Sequence, residues 1–504
     1  MTRLRDMYFN LAHFTFNHRT RPADKTALIV DTAAGADVYT YQTLEAWVRS
    51  VATGLSQTGL QPGNRVLMRL ANSVHFPIAY LGAICAGLVP VVTSAKLTAR
   101  ELENVIRITK PGALIVDPEL TLEGAFPGPT ILATELTKWR DLPPSDYLMG
   151  DAERPAYIVM TSGTGASPKA VVHAHRAIKA RAMMWRDWED LQPTDCLFHA
   201  GAMNWTYTLG TGLLDPWCVG ATALVAPVAN DPQDLAATAR RHKATIFAAS
   251  PGIFRRLLRS PADFGTQLRH ALSAGEKLPE PTGVGWHNMT GTMIFEAYGM
   301  SECSTFVSAA PNRPAPNGSL GWPQTGRRVA IRRADGPTPQ GDTGHISIPA
   351  DDPGLMLGYL GRDGTLSMPL TNGFFETSDL GHMGPDGALF FAGRADDVIN
   401  AGGIRVSPME IESVMSDANG VTDCAAIEVA LPDSKSVIGL YYTGQDVNQS
   451  SLEAHAAANL ADYKRPRVYI HIDQLPRGAN NKLLRRALRA RHTHDQVPHD
   501  QSET

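Results

Sequence analysis

The chain has 504 residues, 43% of them hydrophobic and 19% charged, with a formal net charge of -4. That length is more than one hydrophobic core supports, so two or more domains are expected, and the composition is that of a soluble globular enzyme. The charge balance excludes nucleic acid or an anionic membrane as the partner the surface is built for. Five scattered cysteines without CxxC spacing suggest neither a disulfide framework nor a zinc site, so reduced thiols and a cytoplasmic location are expected. Residues 1–20 carry no apolar signal-peptide core. The run from Phe76 to Val92 contains Pro77, Gly82, Gly87 and Pro90 and falls short of a membrane span; it reads as a buried helix entering a buried strand.

From Ala27 to Pro118 the pattern alternates. Strands are predicted at 27–31, 65–70, 91–92 and 113–116. Helices are predicted from Thr43 to a stop at Gly59, at 73–87 and at 98–109, the first on the 3.6-residue spacing of Leu44, Trp47, Val48, Val51 and Leu55. Such alternation predicts parallel βαβ units in a doubly wound sheet, with ligands at the carboxyl ends of strands. A second series, with strands at 221–225, 245–249, 272–274 and 293–295 and helices at 232–241 and 251–259, predicts a second layered sheet. Short strands with Asp-Gly turns from Arg328 to about Phe391 predict a small β subdomain. Beyond Arg394, helices at 408–415, 452–460 and 483–491 and strands at 423–429, 437–442 and 468–472 predict a compact α+β unit. The fold class is α/β. Residues 1–393 form a large N-terminal domain of two layered βαβ subdomains plus the small β subdomain, 394–397 a polar break, 398–491 a small C-terminal domain, and 492–504 a disordered tail.

Chemistry concentrates in a few stretches. Thr161-Ser162-Gly163-Thr164-Gly165-Ala166-Ser167-Pro168-Lys169 leaves the apolar run 157–160. Glycine admits an anion close to the backbone, hydroxyls and N–H groups donate to it, and lysine adds charge, so the loop suits phosphate. A nucleotide-hydrolase P-loop needs glycine before its lysine and serine or threonine after it. Pro168 and Ala170 stand there, so that reading fails, and a surface turn is the plain alternative. Glu296-Ala297-Tyr298-Gly299-Met300-Ser301-Glu302 ends the strand predicted at 293–295. Phe375-Glu376-Thr377-Ser378-Asp379-Leu380-Gly381 is followed by Asp386-Gly387 and by Gly393-Arg394-Ala395-Asp396-Asp397-Val398-Ile399. Asn400-Ala401-Gly402-Gly403-Ile404-Arg405, Tyr463-Lys464-Arg465-Pro466 and Leu475-Pro476-Arg477-Gly478-Ala479-Asn480-Asn481-Lys482 complete the set.

These stretches resemble, in order, the signatures of the adenylate-forming superfamily: acyl-CoA synthetases, firefly luciferases and peptide-synthetase adenylation domains. The departures are Gly165-Ala166 in T-S-G-T-T-G-x-P-K, Ser301 in E-x-Y-G-M-T-E, Ser378 in T-G-D-L-G, and Asn481 in L-P-R-x-x-x-G-K. The resemblance implies ATP, Mg2+ and coenzyme A as cofactors and co-substrate, and a catalytic set of Lys482, Ser301, Glu302 and Lys169. Thr161, Ser162, Gly163, Thr164, Lys169, Gly275, Glu276, Glu296, Ala297, Tyr298, Gly299 and Ser301 would hold the nucleotide, with Tyr298 on adenine. Asp379 and Arg394 would hold ribose, and Glu302 the Mg2+. His199, Gly201, Met203, Trp205, Ala274, Gly299 and Met300 would line the acid pocket. Asp396 would be the hinge of a mobile C-terminal domain, whose rotation exchanges Lys482 for the CoA-lining Gly402 and Gly403.

Ala79-Tyr80-Leu81-Gly82-Ala83 and Asn204-Trp205-Thr206-Tyr207 look most like the benzoate-CoA ligase branch. The implied reaction is activation of an aromatic or short- to medium-chain acid as acyl-AMP, with release of pyrophosphate, then transfer to CoA with release of AMP. The implied partners are a small-molecule carboxylic acid, ATP and CoA; the resemblance also admits a homodimer. Two other readings stay open: an adenylation enzyme loading a carrier protein, and a non-catalytic nucleotide or acyl-adenylate sensor. His173 and His175 read as scaffold, and the run Arg485, Arg486, Arg489, Arg491 as a solvated face.

Overall fold

A computed structural model describes residues 8–17, 22–32, 35–120, 126–161, 168–227, 231–333, 336–395, 397, 399–401, 404–430, 436–445, 447–478 and 483–495. Two compact units divide the chain: Met1–Arg328 with Ile348–Phe375, and Val329–Ser347 with Glu376–Thr504. The polar break at 394–397 thus falls inside the second unit. Within that unit Ala330–Arg333 pairs with Gly344–Pro349, and Asp379 to Met383 with Leu389–Arg394.

The first unit carries two sheets. In the eight-stranded one the spatial order is Leu366–Ser367, Gly358–Leu360, Lys169–Ala174, Pro155–Thr161, Val89–Val92, Arg65–Arg69, Ala113–Val116, Thr130–Leu132. Its centre is parallel, and Val89–Val92 and Ala113–Val116 are buried throughout, as strands covered on both faces must be. Helix Tyr41–Gln57 is started by the Thr40 side chain, which accepts from Thr43 N–H, and it buries the predicted Leu44, Trp47, Val48, Val51 and Leu55. Against it lies His75–Cys85, buried from Phe76 onward. A Cβ on Gly82 would meet Val51 Cγ1 at 2.6 Å, so glycine sets that close approach. Among the described residues no helix is long and apolar enough to cross a membrane.

The nine-stranded sheet runs Trp322–Pro323, Ser304–Ser308, Ile294–Met300, His270–Ala274, Ile246–Ala249, Cys196–His199, Thr222–Val225, Thr26–Thr32, Gly35–Thr40. Thr26–Thr32 pairs in parallel with Thr222–Val225 and so belongs to this second sheet, although its sequence position groups it with the first series. Beneath the sheet Phe198, Phe247, Phe254, Phe264 and Trp286 form an aromatic core, with Phe247 stacked on Trp286 at 5.7 Å and 13°. The strand predicted at 293–295 continues through the whole Glu296–Met300 stretch. It then hairpins into Ser304–Ser308, because Gly299 has no Cβ to strike the Ser304 carbonyl, which would lie 2.2 Å away.

The second unit contains the small sheet predicted after Arg328 and the α+β unit built on Pro408–Met415, Val421–Ala430, Ser436–Gly444, Gln449–Asn459, Val468–His471 and Arg485–Asp495. Ile411, Met415, Ala426, Leu440 and Leu452 form its core. The last helix continues to Asp495, into the segment read as a disordered tail; residues 496–504 lie outside the described ones. Nor is its arginine run a uniformly solvated face. Arg485 Nη2 meets the largely buried Glu412 Oε1 at 2.7 Å, and both Arg485 and Arg489 reach Asp397, at 3.4 and 3.3 Å. A carboxylate drawn out of water needs such a cation.

Candidate active site

The phosphate-type loop is mounted on an antiparallel pair, Pro155–Thr161 with Lys169–Ala174, whose last register pair is Thr161 and Lys169. The loop ends are therefore fixed across from each other at the edge of the parallel strands, while Ser162, Gly163 and Thr164 lie outside the described residues. The Lys169 ammonium sits 4.5 Å from the centre of the Tyr359 ring, a cation–π contact. The Tyr359 hydroxyl donates to Glu302 Oε1 at 2.9 Å. Burial, then the Glu302 charge, raises the Tyr359 pKa, so the phenol keeps its proton and remains a donor. Two sequence-predicted residues, far apart in the chain, thus meet through a third that the motifs did not single out. Gly358–Leu360 pairs with Lys169–Ala174, so Tyr359 stands opposite Val171.

A second tie joins the same two stretches. His173 Nε2 donates to the Ser301 carbonyl at 2.7 Å, while its ring stacks on Tyr157 at 4.9 Å and 16°. Burial lowers the His173 pKa to about 4, so the ring is neutral with its proton on the nitrogen facing the carbonyl. His173 is thereby more than scaffold: it fixes the backbone of the Ser301-Glu302 turn. His175 conforms to the scaffold reading, since its Nδ1 accepts from Leu11 N–H at 3.0 Å.

The Glu296–Met300 strand distributes its roles unevenly. Glu296 is buried and its carboxylate is engaged twice, by Lys277 Nζ at 2.7 Å and by Leu278 N–H at 2.7 Å. Burial raises its pKa against the opposing Lys277 charge. That geometry makes Glu296 a brace for the Gly275–Leu278 segment. Ala297 faces Ala274 in register, and Tyr298 lies edge-on to Phe306 at 5.2 Å. Glu276 pairs with Arg255 at 3.4 Å.

Next to this strand lies the group read as the acid pocket. Gly275 has φ +102°, which L side chains rarely adopt, and a Cβ there would reach the Trp205 ring at 2.7 Å. Trp205 thus lies against the Gly275 backbone, edge-on to Tyr207 at 5.2 Å, and Tyr207 is edge-on to His199 at 4.3 Å. His199 Nδ1 accepts from Gly201 N–H at 3.0 Å. Burial pushes the His199 pKa down to about 3, so the neutral ring carries its proton on Nε2, which has no partner among the described residues. Met203 and Ala274 are buried. Asn72 clamps this loop: its amide donates to the Gly201 and Ala226 carbonyls at 2.9 and 3.1 Å, and its oxygen accepts from Met203 N–H at 2.8 Å. No motif pointed to Asn72; its place before the helix His75–Cys85 is the only sequence signal. Gly210 and Gly212, on the π-helical turn Gly210–Leu214, leave room for Arg181 and His199. Arg181 pairs with the buried Asp215 and donates to Ser304 Oγ at 2.7 Å.

In the second unit Asp379 and Arg394 are register partners on adjacent strands, 3.8 Å apart as an ion pair. Asp396, Gly402, Gly403 and Lys482 lie outside the described residues.

Comparison with known proteins agrees with this geometry. Residues 14–360 match the family described as AMP-binding enzyme, and residues 410–482 match the AMP-binding enzyme C-terminal domain. Over 489 residues the chain is 29% identical to the 3-hydroxybenzoate-CoA/4-hydroxybenzoate-CoA ligase of Thauera aromatica, covering 89% of this chain and 91% of that one. Among solved structures, ATP-bound MatB from Rhodopseudomonas palustris superposes with a TM-score of 0.87 at 25% identity, over 96% of this chain and 99% of that one. A benzoate CoA ligase from Burkholderia xenovorans gives 0.83 at 26%, over 95% and 100%. On matches that span both units, the chain belongs to the AMP-binding enzyme family, as an AMP-forming acyl- or aryl-CoA synthetase.

Proposed function

We propose that the enzyme activates an aromatic acid of the benzoate type, or a short- to medium-chain acid, as its acyl-adenylate and passes the acyl group to CoA. The observation that carries the reading is the Lys169–Tyr359–Glu302 contact, which sets a cation at the end of the phosphate loop beside a carboxylate in the turn that follows the strand Ile294–Met300. Glu302 Oε2 takes no partner among the described residues, and those residues contain no cluster of three or more His, Cys, Asp or Glu that could hold a metal. A lone carboxylate fits Mg2+ delivered with the nucleotide phosphates, which keeps most of its ligands as oxygens of water and phosphate. When bound, the ion would offset the charge between the acid's carboxylate and ATP. The loop ends Thr161 and Lys169 would bind phosphate, and Ser301, its carbonyl held by His173, would present its hydroxyl. The unpartnered His199 Nε2–H, set among Tyr207, Trp205 and Met203, would orient the acid by donating to its oxygen. Asp379 would take the ribose hydroxyls and Asp396 would be the hinge about which the C-terminal domain exchanges Lys482 for Gly402 and Gly403.

Nearness to hydroxybenzoate- and benzoate-CoA ligases and the aromatic rings of Trp205 and Tyr207 beside His199 both favour a planar acid. The test is product analysis with ATP, Mg2+ and CoA across acids from acetate through octanoate to benzoate and its hydroxy and amino derivatives. AMP and acyl-CoA with the aromatic set support the reading. Pyrophosphate without a CoA thioester would replace CoA by a carrier protein, and nucleotide binding without turnover would make the protein a sensor.

A further inference from the structure

The structure assigns to Tyr359 a task no motif gives it: Tyr359 is the positioning residue that fixes the Glu302 carboxylate for a divalent metal ion and holds Lys169 at the edge of the phosphate loop. This inference rests on the function proposed above. Tyr359 lies on Gly358–Leu360, a strand hydrogen-bonded on one side to Lys169–Ala174 and on the other to Leu366–Ser367, so its backbone is held from both sides. From that support its two ends act on different partners. The hydroxyl donates to Glu302 Oε1 at 2.9 Å and the ring face receives the Lys169 ammonium at 4.5 Å. A carboxylate with one oxygen taken by a neutral donor keeps its charge and has its remaining lone pairs aimed in a fixed direction, which is how outer partners raise metal affinity. The Glu302 backbone is fixed too, since its carbonyl accepts from Met356 N–H at 2.8 Å, three residues before Tyr359. Main chain and side chain of the metal-binding residue are therefore both anchored on the segment 356–359.

The lysine contact adds a second consequence. Lys169 is exposed and among the described residues has no carboxylate partner, so the Tyr359 ring is what restrains its ammonium. Glu302 and Lys169 are held near one another without forming an ion pair, because the phenol stands between them. Each charge then stays available to the nucleotide: the carboxylate to metal, the ammonium to phosphate.

The two contacts can be separated by substitution. Tyr359→Phe keeps the ring under Lys169 and removes the donor to Glu302; Tyr359→Leu removes both. Full-length wild type and both variants are titrated with Mn2+ in the presence of a non-cleavable α,β-methylene ATP, with free Mn2+ read by electron paramagnetic resonance. Nucleotide affinity in EDTA is measured by fluorescence of a labelled ATP analogue. For Tyr359→Phe the half-saturating Mn2+ is expected to rise about tenfold to a hundredfold, the loss of one hydrogen bond to a charged metal ligand, with metal-free nucleotide affinity unchanged. For Tyr359→Leu the same rise is expected, joined by about a twofold to fivefold loss of metal-free affinity from the missing cation–π contact. Circular dichroism and thermal melting of each variant separate a folding defect from a binding one. An unchanged Mn2+ midpoint in Tyr359→Phe overturns the assignment, and equal loss of metal-free nucleotide binding in both variants overturns the division of labour. Since the titration needs no turnover, a wild type that binds metal and nucleotide but forms no AMP with any acid refutes the proposed function and leaves Tyr359 to be judged on its midpoint.

Discussion

Replacing His173 by phenylalanine should detach the Ser301-Glu302 turn from the phosphate-loop hairpin. The stack on Tyr157, 4.9 Å between centres, would be retained by the new ring, while the 2.7 Å hydrogen bond to the Ser301 carbonyl would be lost. An acceptor left without its donor in a buried place costs about 1–3 kcal/mol. If the whole loss falls on the transition state, acid activation slows by about tenfold to a hundredfold. Glutamine makes the opposite exchange: its amide can donate to the carbonyl, but it loses a stack worth about 0.5–1.5 kcal/mol. The assay is acid-dependent ATP–pyrophosphate exchange at saturating ATP, with urea unfolding of the same preparations. His173→Phe should be slow in exchange, and His173→Gln should recover most of the rate while unfolding at lower urea than wild type. Since burial holds the ring neutral down to about pH 4, the exchange rate should show no titration of this residue at pH 5–8. The reasoning fails if His173→Phe exchanges at the wild-type rate, or if glutamine is no better than phenylalanine.

Three further outcomes are expected. Gly275→Ala forces a Cβ to within 2.7 Å of the Trp205 ring at a φ of +102°, so it should raise KM for the acid and shift tryptophan fluorescence, with a strain cost of about 1–3 kcal/mol; unchanged KM would separate Trp205 from the acid site. His175 has its pKa lowered to about 3 by burial and then by Arg154, so between about pH 6.5 and 3 the unfolded chain binds a proton that the folded one refuses. Stability is then complete above pH 6.5 and falls as pH drops, by about 2–3 kcal/mol at pH 4.5, and His175→Asn, which keeps an acceptor for Leu11, should flatten that slope in urea melts at the two pH values. Lys482→Ala should cut acyl-AMP formation by about 10²- to 10³-fold while largely sparing thioester formation from supplied acyl-AMP; equal loss in both half-reactions would remove Lys482 from its assigned place.

The βαβ series were legible because a parallel strand buried on both faces reads as a short apolar run, and an amphipathic helix such as Tyr41–Gln57 repeats its apolar residues every third and fourth position. Which sheet a strand joins was not legible: Thr26–Thr32 carries nothing local to say that its neighbour is Thr222–Val225, almost two hundred positions on. In the site, motif residues were visible because phosphate, ribose and metal demand particular side chains at fixed spacing. Tyr359, His173 and Asn72 were not. Each acts through contacts made across the fold, to Glu302 and Lys169, to Ser301, and to the Gly201–Met203 loop, and a single tyrosine, histidine or asparagine has no spacing to betray it. Glu296 adds a role its signature does not announce, since its oxygens accept from Lys277 and Leu278. The arginine run misled for a related reason, because charge on a helix looks solvated until Glu412 is found beneath it.

That last pairing sets a limit for anyone re-engineering the C-terminus. Arg485 and Arg489 tie Asp397 to a helix that begins almost ninety positions later, and Arg485 also neutralises Glu412. Removing the chain from Arg485 onward would strand Glu412 as an uncompensated buried charge, a defect of about 3–5 kcal/mol, and would unfasten the stretch beside Asp396 at the same time. An affinity tag or fusion partner appended past residue 495 leaves both ties in place, whereas a deletion reaching Arg485 would sever a clasp whose other half lies at the opposite end of the domain.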